Sequence, residues 1–131
     1  MRDWSNATFI NSTIHGNSTS GSSTSGYGYV GGVIVWYGAT NATFINSIIY
    51  GNSPTNIYNH GTLNISYSNI EGGYGGTGNI DQDPLFVNTS NGDYHLQSSS
   101  PCIDAGDPSS IYNDPNGTRN DMGAYPYFIV V

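Results

Sequence analysis

Lysine is absent from this 131-residue chain, and Arg2 and Arg119 are its two arginines. Charged residues make up 8% of the sequence, well below the usual quarter or so of a soluble domain. Nine acids against two bases leave a formal charge of −7. That balance offers no electrostatic footprint for nucleic acid or for an anionic membrane surface. Strong helix formers are scarce, so a helical fold is disfavoured. Cys102 stands alone, which excludes an internal disulfide. Its setting, Ser-Pro-Cys-Ile-Asp, reads as a small buried residue, with a reactive thiol as the alternative. No apolar run approaches the ~18 residues of a transmembrane helix, so no membrane insertion is expected within this chain. The opening MRDWSNATFINST also lacks the apolar stretch of a signal peptide. If the protein is secreted, its N-terminus is expected further upstream, and the chain is then a fragment of a longer one.

Gly, Asn, Ser and Thr are abundant, alongside 11 Tyr. This composition suits short β-strands joined by Gly/Asn turns. The strongest signal is a repeat. Asn6 to Ser18, NATFINSTIHGNS, returns as Asn41 to Ser53, NATFINSIIYGNS, with eleven of thirteen positions identical at a spacing of 35. A weaker copy follows 21 residues later, where Leu63, Ile65, Ser68 and Ile70 match Ala42, Phe44, Ser47 and Ile49. Self-similarity of this kind marks a repeat architecture.

Within a copy, Ala42 and Phe44 alternate with period two, as do Ser47 and Ile49. The phase slips by one residue at Ile45-Asn46, as it would at a corner between two short strands. Asn46 and Asn52 are expected at corners, because Asn tolerates left-handed backbone angles. Asn11 is expected above Asn46 in an amide ladder. The fold class is therefore all-β, a right-handed parallel β-helix (solenoid) of about three coils plus an irregular C-terminal cap. Residues 1–71 hold the coils, with a Ser/Gly loop inserted at 18–29. Residues 72–131 form the C-terminal coil and capping segment of the same structural domain. Val33 to Tyr37 reads as a further strand of the second coil, and Gly72 to Gly78 as a mobile loop. Asn79 to Val87 reads as a turn into a strand, and Asn91 to Leu96 as a turn and strand with Tyr94 and Leu96 on one face. Three coils are short for a solenoid, so upstream β-helix coils of the same protein are an expected partner.

The tail adds specific motifs. YSNIEGGY, IDQDPLFV, NGDYHLQSSSPCIDAGDPSS and NDPNGTRNDMGAY closely resemble the C-terminal region of bacterial and archaeal right-handed parallel β-helix repeat surface proteins. In that family such a segment precedes a cell-surface anchor or sorting region. The resemblance covers essentially the whole chain and implies an extracellular, cell-surface setting. Pro126 follows "GAY" where the family commonly has acidic residues or glycine, and Tyr127 to Val131 is an apolar stub.

The candidate chemistry is thin. Polysaccharide lyases of this architecture use a Lys or Arg base and often Ca²⁺, while glycoside hydrolases use clustered carboxylates. The coils lack Lys, and Glu71 stands alone at the end of the third. The expected role is therefore non-catalytic: a cell-surface scaffold or adhesin-like module that binds a polysaccharide or cell-surface glycan. The alternative is the tail of a carbohydrate-active β-helix enzyme with its active site upstream. Trp36, Tyr37 and Tyr50 are the candidate ligand-binding residues, since their rings could stack on sugars; Tyr27, Tyr29 and Tyr74 are further aromatics, and core packing is the competing reading. Asp114, Asn116, Thr118 and Asp121 carry hard oxygen ligands in a spacing that suggests Ca²⁺. The competing reading is an Asx-rich turn with Arg119 paired internally. His15 replaces Tyr50 in the repeat and is expected to point outward, away from any metal site. Seven N-x-Ser/Thr sequons, at Asn6, Asn11, Asn17, Asn41, Asn64, Asn88 and Asn116, are candidate glycosylation acceptors.

Overall fold

The computed structural model describes residues 5–20, 29–38 and 40–128. Most of the Ser/Gly loop expected at 18–29, together with Arg2, Tyr27 and residues 129–131, lies outside them. The described chain is all-β. Its ten strands are β1 (Ser5–Ile10), β2 (Thr13–His15), β3 (Val33–Val35), β4 (Thr40–Ile45), β5 (Ile48–Tyr50), β6 (Ile57–Asn59), β7 (Thr62–Ser66), β8 (Asn69–Ile70), β9 (Phe86–Asn88) and β10 (Asp93–Leu96). Two 3-10 turns, at Thr89–Asn91 and Ser110–Tyr112, are the helical content of the described residues.

Three parallel sheets form, β1-β4-β7, β2-β5-β8 and β3-β6, and the first two arise from the repeat. Their register follows the sequence columns. Phe9 pairs with Phe44 and Phe44 with Ile65, while Ile14 pairs with Ile49 and Ile49 with Ile70. Alternation then turns Ala42, Phe44, Leu63 and Ile65 of the first sheet inward, where they meet Ile49 and Ile70 of the second and Val35 of the third in one core. Each such aliphatic or aromatic side chain contributes roughly 1.5–3 kcal/mol on full burial. β1 forms the open edge, and all six of its residues are exposed.

The corners explain the phase slip. Asn11 and Asn46 adopt left-handed φ of 51° and 54°, and Tyr67 takes the same corner in the third repeat at 47°. Beside the corner runs a serine column. Ser12 N–H donates to Ser47 Oγ (3.2 Å), Ser47 N–H to Ser68 Oγ (3.0 Å), and Ser68 N–H to Asn79 Oδ1 (3.1 Å). An amide ladder forms at the other corner, where Asn17 Nδ2 donates to Asn52 Oδ1 at 3.0 Å.

Three expectations are corrected. Asn11 and Asn46 do not bond to each other. Asn11 Nδ2 donates to Asn120 Oδ1 (2.8 Å) and to the Asp121 carbonyl (2.9 Å), and Asn46 Oδ1 accepts from Asp107 N–H (2.6 Å). The tail thus takes both amides. Nor does the tail beyond Ile80 lie over the last repeat. It runs along the outer face of β2-β5-β8, where Leu96, Cys102 and Met122 enclose Ile48 in a second core. Gly123 N–H donates to the Asn46 carbonyl and Ala124 N–H to Thr13 Oγ1. An outward isoleucine at position 48, where the first repeat has Thr13, needs such a cover. The end of the stack is closed instead by Gly72 to Ile80, which includes the Gly72–Gly78 segment read as a mobile loop. Tyr74 packs against the first core, and Asn79 Nδ2 donates to the Ile65 and Tyr74 carbonyls, both at 3.0 Å.

β9 and β10 form an antiparallel pair, with Asp93 opposite Asn88 and Leu96 opposite Phe86. Cys102 is fully buried, as its motif suggests. Burial pushes its thiol up, and Asn69 Nδ2 donates to its sulfur at 3.2 Å.

Candidate functional site: an exposed aromatic run

A connected group of rings lies around the β3-β6 sheet, with Trp36 and Tyr37 exposed and Tyr58 and His60 half-buried. Val35 faces inward at 2% exposure, so Ile34 faces outward at 45%. Ile34 pairs with Tyr58 on β6, which places Tyr58 on the same outer face. The strand ends at Val35, short of the expected Tyr37. Trp36 and Tyr37 follow in a bend and remain 47% and 66% exposed. The Trp36 ring meets Tyr58 edge-on at 6.1 Å between centroids. Tyr58 contacts His60 at 4.4 Å, and His60 contacts Tyr37 at 4.5 Å. Trp36, Tyr58, His60 and Tyr37 therefore make one continuous run. Rings of this kind present flat apolar surface with polar edges, which suits stacking against sugar rings and hydrogen bonding to their hydroxyls.

Two of the three sequence candidates, Trp36 and Tyr37, belong to this run. Tyr50 does not. It is half-buried beside the tail, packed against the second core. Burial pushes its phenol up, assisted by the negative charges of Glu71, Asp81 and Asp83. Tyr58 and His60 were missed. They align with the 33–37 segment at an offset of 24, since Val33 pairs with Ile57, and neither the 35- nor the 21-residue spacing brings them into register.

The calcium candidates split. Asn116, Thr118 and Asp121 line a cleft of ≈410 Å³ together with Asp104, whereas Asp114 lines a neighbouring cleft with Asn11 and Asn120. The carboxylates of Asp114 and Asp121 are both buried and accept hydrogen bonds from the protein. Asp114 takes Asn120 Nδ2 (2.9 Å) and Asp121 N–H (3.2 Å), while Asp121 takes Asp104 N–H (2.7 Å) and Tyr127 N–H (2.6 Å). Asn116 Oδ1 accepts from the Thr118 hydroxyl at 2.6 Å. Burial pushes the Asp114 carboxyl above its ordinary range, and the neighbouring Asp121 charge adds to this. Among the described residues no group of three or more His, Cys, Asp or Glu side chains is arranged to hold a metal ion. Arg119 pairs with backbone, its Nε donating to the Gly106 carbonyl at 2.7 Å.

His15 points away from the first core, as expected, but it is not open to solvent. Phe86 meets its ring edge-on at 5.1 Å, and Tyr94 lies at 5.4 Å. Burial holds its pKa below the ordinary 6.5. Glu71 is likewise tied down, its Oε2 accepting from Gly51 N–H (2.8 Å) and Asn56 Nδ2 (3.0 Å). No helix among the described residues is long and apolar enough to cross a membrane. No protein-family model, curated protein or solved structure matches this chain.

Proposed function

We propose that this chain is a non-catalytic extracellular segment of a right-handed parallel β-helix, a cell-surface scaffold or adhesin-like module that holds a neutral glycan on its aromatic run. The observation that carries the reading is the connected series Trp36, Tyr58, His60 and Tyr37 around the β3-β6 sheet, with Trp36 and Tyr37 exposed. The solenoid part is supported by three parallel strand stacks whose side chains share one core. The surface setting is supported by the likeness of the tail motifs to surface β-helix repeat proteins. The exposed edge of β1 supports stacking of a further coil upstream. A net charge of −7 favours a neutral polysaccharide over a polyuronate.

Affinity electrophoresis through gels containing neutral or acidic polysaccharides tests this. Retardation by a neutral polymer is expected. Trp36→Ala and Tyr37→Ala should each weaken it about five- to tenfold, the equivalent of roughly 1–1.5 kcal/mol of lost stacking. Tyr50→Phe should leave it unchanged. Migration unaffected by every polymer removes the glycan reading. Release of soluble sugar during incubation replaces it with that of a carbohydrate-active enzyme.

A further inference from the structure

A second site lies where the tail crosses the outer face of β2 and β5. His15, Tyr50 and Gly51 form one wall of a cleft of ≈340 Å³, and Asp83, Pro84, Leu85, Phe86, Thr89 and Gln97 form the other. This is within the size range of ligand clefts, at about 300–1,000 Å³. The back of the cleft is half-buried and ring-lined, with His15, Tyr50 and Phe86. Its rim, Asp83, Thr89 and Gln97, is exposed and polar.

The walls are built to hold this shape. Leu85 adopts a left-handed φ of 55°, a conformation that bulky side chains rarely take. It is fixed there because its N–H donates to Asp83 Oδ1 (2.9 Å) and its carbonyl accepts from Gln97 N–H (2.9 Å). On the facing wall Gly51 has a φ of +71°, and a Cβ there would lie 2.6 Å from His15 Nε2. His15 can sit over position 51 only because that residue is glycine. His15 Nδ1 is fully buried and has no hydrogen-bond partner, and Phe86 and Tyr94 pack against the ring.

The charge around the cleft is of one sign. Asp83 lines it, and Glu71 bonds the Gly51 N–H from beside it. Among the described residues no Arg or Lys lines the cleft, and Arg119 is engaged with Gly106. A ligand suited to this cleft offers an ammonium group to the carboxylates, hydroxyls to Thr89, Gln97 and Tyr50, and a compact carbon skeleton to the rings. We infer that the cleft between the repeats and the tail binds a single sugar residue carrying an amino group, through Asp83, Thr89 and Gln97 at its rim and Tyr50 at its back. This site is separate from the aromatic run.

Saturation-transfer NMR at pH 7 with glucosamine, glucose and glucuronate tests the inference. Glucosamine should bind, glucose about tenfold more weakly, as expected for loss of one charge-assisted contact, and glucuronate not at all. Asp83→Asn should abolish the preference for glucosamine over glucose. Thr89→Val, at an exposed rim position, should weaken both sugars. Glucosamine should still bind Trp36→Ala, which separates this site from the aromatic run. Equal binding of the three sugars, no binding of glucosamine to the folded protein, or an unchanged preference in Asp83→Asn would overturn it. Loss of glucosamine binding in Trp36→Ala would do the same.

Discussion

Single residues decide where this chain bends and what its inner faces bury. Asn11 and Asn46 turn the corner because a short amide side chain tolerates positive φ. Their amides then anchor the tail, a role that a glycine at the same corner could not fill. Position 15 shows how one substitution in the repeat changes chemistry. Tyr50 keeps its phenol at the back of a cleft, whereas His15 brings a titratable ring under Phe86 and Tyr94. Because burial lowers the folded-state pKa of His15, the unfolded chain takes up the proton first. Its contribution to stability is complete above pH 6.5 and is lost as the pH falls through the folded value. Asp114, whose carboxyl is pushed up, acts in the opposite direction, gaining stability as the pH falls from its raised value toward 3.8. The urea midpoint of the wild type is therefore expected to fall on acidification from pH 6.5, and that of His15→Tyr to fall less. Superimposable pH profiles for the two proteins would show that His15 stays exposed in solution.

At the scale of elements, the serine column shows how one segment ends a stack that another does not cover. Each Ser N–H needs an acceptor from the next layer, and the last one finds Asn79 Oδ1. The same amide satisfies the Ile65 carbonyl. Gly72 to Ile80 is thus a fitted end piece despite its glycine content. Gly76 lies so close to the Ile65 carbonyl that a Cβ would be 2.0 Å from its oxygen. Asn79→Ala would strand the Ser68 N–H and the Ile65 carbonyl, at about 1–3 kcal/mol for each group left unpaired. Amide exchange at Ser68 is expected to accelerate, with Ser12 in the first layer little changed. Uniform acceleration across the layers would mean that Asn79 acts only through global stability.

The whole molecule has two unlike ends and one covered side. The end beyond β8 is closed by residues 72–80, the outer face of β2-β5-β8 by the tail, and among the described residues no strand pairs with the outer edge of β1. Phe9 stacks on Phe44 at 4.5 Å on one side only and remains 39% exposed. Fusing a further copy of residues 41–61 ahead of Ser5 is expected to raise the melting temperature. Completing the burial of Phe9, already more than half covered, would alone contribute about 1 kcal/mol. An unchanged or lower melting temperature would show that β1 does not template another layer.

The sequence by itself determined the strands, columns and layer order of the β1-β4-β7 and β2-β5-β8 sheets, because these follow from local alternation and from an almost exact internal repeat. It also placed the corners at Asn11 and Asn46 and the burial of Cys102. Only the tertiary structure decided what each surface meets. The tail lies along a flank, Asn11 and Asn46 bond to it and not to each other, and Tyr50 parts company with Trp36 and Tyr37. Tyr58 and His60 joined the aromatic run through a pairing offset of 24 that the repeat does not contain. The physical reason is the same in each case: strand pairing inside a repeat is fixed by the repeat's own alternation, whereas contacts made across connections of unequal length depend on where the chain returns.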